Sequence, residues 1–154
     1  MFPTMTDRGF TFIELIVVMI LLAFAGSLVY VNVGRSVGGN QAKMFARELT
    51  VMMKTARRLA VEQGAPATLV ISAQDRTCQI DGETRTLKIP EQIQVDAEAI
   101  QLRDDGGIEL AFYADGSTNG GILSILVDNT LRYRIGVDVL TGAIQVKSGD
   151  DAAV

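Results

Sequence analysis

Apolar residues are arranged in three different ways along the chain. From Leu15 to Val31 the sequence reads LIVVMILLAFAGSLVYV, apolar on every side of a helix, and no charged residue falls between Leu15 and Gly34. From Gln41 to Gln63 the apolar positions recur at helical spacing. Phe45, Leu49, Met52, Met53, Ala56, Leu59 and Ala60 fall within about a third of the circumference at ~100° per residue. Lys43, Arg47, Lys54, Arg57 and Arg58 cluster on the opposite side. After Gly64 the period drops to two between regular turn signals, which predicts an antiparallel β region.

The first pattern is no amphipathic core helix. Extended from Phe10 to Val33 it would rise roughly 36 Å at ~1.5 Å per residue, enough to cross a hydrocarbon core of about 30 Å. Three readings compete: a buried helix, a secretory signal peptide and a retained membrane helix. A region of this size can hardly wrap every face of such a segment, so the first is weakest. Ala23, Phe24, Ala25 offers an A-x-A cleavage pattern for the second, but Arg8 is offset by Asp7 and a carboxylate, Glu14, sits at the mouth of the apolar run. The positive-inside rule sets no orientation, since Arg8 lies on one side and Arg35, Lys43 and Arg47 on the other. An ionisable group at mid-bilayer costs about 2.5 to 3.5 kcal/mol, less near the interface, so Glu14 either snorkels to the headgroups or has a partner.

Val37, Gly38, Gly39 and Asn40 interrupt the helical pattern and leave open whether the joint is helical or melted, Asn40 being a candidate cap for a second segment that Gly64 and Pro66 end. Candidate strands then run from Ala67 to Ser72, Thr77 to Ile80, Thr84 to Ile89, Gln92 to Val95, Ala99 to Arg103, Ile108 to Ala114, Ile122 to Val127, Leu131 to Val137 and Ala143 to Lys147. Asp81 and Gly82 suit a type I′ hairpin. Leu131, Tyr133, Ile135 and Val137 read as one core face, and Ile122 to Val127 as a central strand between the helix and a second layer. The fold class is α+β: one long N-terminal helix on an antiparallel sheet or small β-sandwich.

Composition narrows the chemistry. The chain has 154 residues, no histidine and one cysteine, Cys78. Imidazole relays, His-activated nucleophiles, imidazole zinc sites and thiolate clusters are excluded, which argues against an enzyme, and the expectation is no catalytic residue, no metal and no cofactor, with calcium at one loop the alternative. The net charge of −4 is unevenly spread: Phe10 to Gly64 has six Lys/Arg against three Asp/Glu, and Ala65 to Val154 has seven against fourteen. The acidic C-terminal part, ending in Asp150, Asp151, Ala152, Ala153, Val154, disfavours nucleic acid as a partner. The basic stripe of the stem reads either as a solvated face or as a surface against which acidic heads of neighbouring subunits lie. Loops at Asp104 to Gly107 and Asp115 to Gly121 lack EF-hand spacing and read as turns, with calcium at Asp115 the lesser alternative.

Arg8, Gly9, Phe10, Thr11, Phe12, Ile13, Glu14, Leu15 and the apolar run resemble the processing signature of type IV prepilins and type II secretion pseudopilins. The resemblance implies cleavage by prepilin peptidase between Gly9 and Phe10, N-methylation of Phe10, and retention of the helix as a membrane anchor that later becomes a filament core. Cutting there places a new ammonium four residues before Glu14. In a staggered bundle the carboxylate of one subunit can meet the amine of its neighbour, and leaving either charge unpaired in apolar surroundings would cost several kcal/mol, so Glu14 becomes the assembly residue.

Further along, Ile89, Pro90, Glu91, then Phe112 to Gly121 leading into Ile122, and Arg132, Tyr133, Arg134 with Thr141, Gly142 resemble the head of the GspH/FimT group of minor pseudopilins and minor pilins. That resemblance implies a leader at 1–9, a helix at 10–64 with a transmembrane segment near 15–33, and a periplasmic β head at 65–154. It implies a structural subunit near the tip of the type II secretion pseudopilus. The protein would cross the inner membrane once, its partners being other major and minor pseudopilins, prepilin peptidase and the inner-membrane assembly platform. Two alternatives remain: a minor type IV pilin, serving pilus biogenesis or DNA uptake, and a secreted domain released by signal peptidase after Ala25.

Overall fold

The computed structural model describes residues 11–103 and 105–149, except the side chains of 26–38. The leader at 1–9, Phe10, Asp104 and the tail at 150–154 lie outside the described residues. Helix α1 spans Phe12–Gln63. Thr11 caps it: the Glu14 amide donates to the Thr11 carbonyl (3.1 Å) and lies 3.3 Å from Thr11 Oγ1. Threonine at the cap with glutamate three residues on is the sequence of a capping box. At the far end Gly64 adopts φ 66°, the left-handed conformation that stops a helix.

At Val37–Asn40, where the sequence left the joint open, helical backbone continues. Two glycines cost only about 1 kcal/mol each against alanine, too little to end a helix that propagates on both sides. Asn40 is therefore an interior, exposed helical residue rather than a cap. The chain divides into two compact units, 1–37 and 38–154, so the second half of α1 belongs with the strands.

Nine strands follow: β1 (Ala67–Ser72), β2 (Thr77–Ile80), β3 (Thr86–Lys88), β4 (Ile93–Glu98), β5 (Gln101–Leu102), β6 (Ile108–Phe112), β7 (Gly121–Val127), β8 (Thr130–Val137) and β9 (Ile144–Ser148). They form two antiparallel sheets, β3-β2-β1-β6-β5 and β4-β7-β8-β9. Buried and half-buried residues alternate along β1 and β6, as period two requires. A single core joins Leu49 and Met53 of α1 to Leu69, Ile71, Leu110 and Phe112 of the first sheet and Leu123, Ile125 and Ile135 of the second. The α+β, helix-on-sheet expectation holds.

Two local expectations fail for definable reasons. At Asp81–Gly82 only Gly82 has positive φ, and the Glu83 amide donates to the Ile80 carbonyl (3.0 Å); that is a type II turn within a longer loop, not type I′. The I′ geometry falls instead at Asp128 (φ 50°) and Asn129 (φ 60°) between β7 and β8. Second, a register shift sets Leu126 against Leu131 but Ile125 against Tyr133. Arg132 is the extra residue, and it turns Leu131 to the opposite face from Tyr133, Ile135 and Val137. Strand β7 is central as expected, but Ile122 and Leu126 on its far face are only half-buried, so no complete second layer covers them among the described residues.

Candidate functional site

The N-terminal unit carries the candidate assembly surface. Gly9 and Phe10, the expected processing site, lie outside the described residues. Glu14 is exposed in the first turn of α1. Every described side chain from Phe12 to Ala25 is exposed on all sides of the helix, Phe12 by 81% and Leu21 by 62%. Among the described residues no helix is long and apolar enough to cross a membrane; the expected span at 15–33 runs on into 26–38, whose side chains lie outside them. Such a surface, apolar all round, is satisfied by lipid or by other apolar helices.

On the C-terminal unit the helix buries one stripe and exposes a basic one. Ala42, Phe45, Ala46, Leu49, Met52, Met53, Ala56 and Ala60 are at most 4% exposed, whereas Lys43, Arg47, Lys54, Arg57 and Arg58 are exposed. Arg58 pairs with Glu62 at 2.9 Å. Lys43, Arg47, Lys54 and Arg57 make no ion pair among the described residues.

Sequence reasoning placed Arg57 in this solvated stripe and missed its contact. Its Nε donates to the Gly116 carbonyl (3.2 Å), and a Cβ at Gly142 would collide with Arg57 and the Gly116 carbonyl. The arginine thus pins two loops of the head against the stem. Neither loop is free for a ligand. Thr118 Oγ1 donates to the Ala111 carbonyl (2.6 Å), and Asn119 bridges Glu109 and Ala111 of β6 (2.9 and 3.0 Å). Asp115 accepts from the hydroxyl and amide of Ser117, which hold its carboxyl below the usual range. Asp138 is held low in the same way by the hydroxyl and amide of Thr141. These carboxylates serve turns. The described residues contain no group of three or more potential metal ligands. Cys78 is buried, and burial pushes its thiol up to about 12, the reverse of what a nucleophile needs.

An exposed apolar helix leading into a helix-on-sheet head defines a pilin-like protein, and comparison with known proteins agrees. Residues 4–30 match the prokaryotic N-terminal methylation motif. Type II secretion system protein H of Xanthomonas campestris pv. campestris is 27% identical over 145 residues, covering 92% of this chain and 83% of that protein. The minor pseudopilin EpsH of the Vibrio cholerae type II secretion system superposes with a TM-score of 0.58 at 16% identity, over 71% of this chain and 94% of that one. The type IV minor pilin FimU of Pseudomonas aeruginosa gives 0.56 at 16% identity, over 72% and 91%. The motif agrees with a prepilin-type N-terminus and the fold with a pilin-like head, and the likeness to protein H runs along nearly the whole chain.

Proposed function

We propose that this chain is a minor pseudopilin, a structural subunit at the tip of the periplasmic pseudopilus of a type II secretion system. The observation that carries the reading is the likeness to protein H, which runs through both the apolar helix and the head. The folds of EpsH and FimU fit almost equally well, so the minor-pilin reading is favoured only by the second of them. In the proposed protein the segment near 15–33 anchors the chain in the inner membrane with the head in the periplasm. Prepilin peptidase cuts between Gly9 and Phe10, and the assembly platform inserts the helix among those of other pseudopilins. The chain performs no chemistry itself.

Glu14 is the pivot of that assembly. The Thr-x-x-Glu sequence at Thr11 gives the Glu14 side chain a second role, as a capping residue, and one substitution separates the two. Glu14→Gln retains a residue that serves a capping box but removes the charge. Its expected behaviour is normal processing and membrane association, with incorporation beside other pseudopilins reduced about tenfold or more, since an uncompensated buried ammonium costs more than the 1.4 kcal/mol of one decade. Mass spectrometry of the N-terminus and co-purification from a secreting host read both. Wild-type incorporation of the glutamine variant would refute charge pairing; a mature chain beginning at Met1 or Gly26 would refute the pseudopilin reading itself.

A further inference from the structure

The two sheets end in four edges, and three are blunted. Strands β3 and β5 have three and two residues, and β4 carries Asp96 and Glu98 on the edge while burying or half-burying Ile93, Val95 and Ala97. Short and charged edges resist pairing with other chains. Strand β9 differs. Among the described strands it pairs with β8 alone, without bulge or proline, and a single lysine, Lys147, is all that guards it.

The direction of its free groups follows from one hydrogen bond. The Asp138 amide donates to the Ala143 carbonyl (3.0 Å), so residues 138 and 143 are a bonded pair. Alternation along an antiparallel ladder then makes Gly136 with Gln145, and Arg134 with Lys147, the next bonded pairs. The backbone N–H and C=O of Ile144, Val146 and Ser148 point away from β8 and meet no strand among the described residues.

The side chains of the same residues tell a matching story. Val146 lies opposite Ile135, which is fully buried, yet Val146 is 46% exposed. The core-facing row of the sheet is therefore uncovered at its last strand. Beside it, between α1 and the start of β9, runs a cleft of about 430 Å³ lined by Lys54, Arg57, Arg58, Val61 and Ile144 among others. Val61 is 51% exposed. Apolar at its floor and basic at its helical rim, the cleft holds only Glu62 as an acid, already engaged by Arg58.

We propose that β9 is a strand-addition edge that receives an extended, acidic segment of a neighbouring filament subunit. The segment bonds to the outward backbone groups of Ile144, Val146 and Ser148, lays aliphatic side chains over Val146 and Val61, and sets carboxylates against Lys54. Backbone bonds supply the attachment and the basic rim supplies the choice of partner. The proposal deepens the pseudopilin reading, on which it rests for the source of the strand, and not for the chemistry of the edge.

The test uses the full chain in detergent micelles and two capped nonapeptides, one with three Glu in its first half and Val and Thr in its second, the other with that order reversed. Amide hydrogen exchange is read at Ile144, Val146 and Ser148. At saturating peptide one orientation slows these amides about tenfold, the twin peptides with Lys for Glu do not, Val146→Pro abolishes protection, and Lys54→Glu weakens binding about threefold at low salt. If the proline variant melts early, Lys54→Glu decides. The proposal is overturned by absence of protection, by equal protection from the Lys peptides, by unchanged binding in Lys54→Glu, or by protection that grows with protein concentration alone, which would make the occupant a second copy. None of these outcomes touches cleavage after Gly9, so the edge and the pseudopilin reading fail separately.

Discussion

The two halves of α1 share one backbone conformation and opposite surroundings. Between Phe12 and Ala25 no side chain is buried, whichever way it points. Between Ala42 and Ala60 one stripe is sealed to within 4% of full burial while the opposite face stays charged. Helical propensity alone does not separate them. What separates them is how apolar residues are spread around the axis: a stripe is answered by the chain's own sheets, whereas a full cylinder of exposed apolar side chains suits lipid or other helices. The same helix is a core element at one end and an interaction surface at the other.

The sharpest way to break that contrast is to delete a leucine from each half. Leu49 is fully buried and Leu21 is 62% exposed. Leu49→Ala should destabilise the head by about 2 to 5 kcal/mol, through lost transfer energy and the cavity left behind, and Leu21→Ala by less than about 0.5 kcal/mol. Urea unfolding of the micellar protein, followed by tyrosine fluorescence, reads both. Similar losses would mean that the first half of α1 also packs on the head.

Much of this arrangement was legible because it rests on periodicity. The stripe from Phe45 to Ala60 emerged from spacing alone, and so did strands such as Ala67–Ser72 and Thr77–Ile80. What escaped was set by tertiary context. The register shift at Ile125/Leu126 turns Leu131 over, though nothing in a run of alternating residues marks which one will be skipped. The I′ turn fell at Asp128–Asn129 because both residues tolerate positive φ, while Asp81–Gly82, the better textual match, sits in a loop too long to need it. Glu14 was singled out by its incongruity among apolar residues, and its role is a proposal; Arg57 was hidden because its neighbours are equally basic.

Arg57 provides a second, smaller contrast, between two glycines. Gly142 has φ 60°, and a Cβ there would meet the Gly116 carbonyl and Arg57, whereas a Cβ at Gly136 would meet nothing within 4 Å. Gly142→Ala should cost about 2 to 3 kcal/mol, combining left-handed strain with displacement of the arginine. Gly136→Ala should change stability by less than about 0.5 kcal/mol, since it loses no contact and gains strand propensity. Equal effects would show that Arg57 does not pin the stem to the two loops.

The smallest expected effect concerns the turn beside that junction. Thr141 donates through its hydroxyl and amide to Asp138 Oδ1 at 2.7 and 2.9 Å, and these bonds hold the Asp138 carboxyl below its ordinary range. A carboxyl depressed in the folded protein adds stability above its unfolded value of about 3.9 and loses it as pH falls through the lower folded value. Asp138→Ala should therefore lower Tm slightly at about pH 7, and the gap from wild type should close progressively below about pH 4. Asp138 is fully exposed, so solvent screening keeps the shift small. A gap that persists unchanged into acid would assign the contribution to turn geometry rather than to charge. The hairpin leading into β9 would then be held by its backbone bonds, Asp138 N to Ala143 O and Gly142 N to Asp138 O, with the carboxylate an accessory.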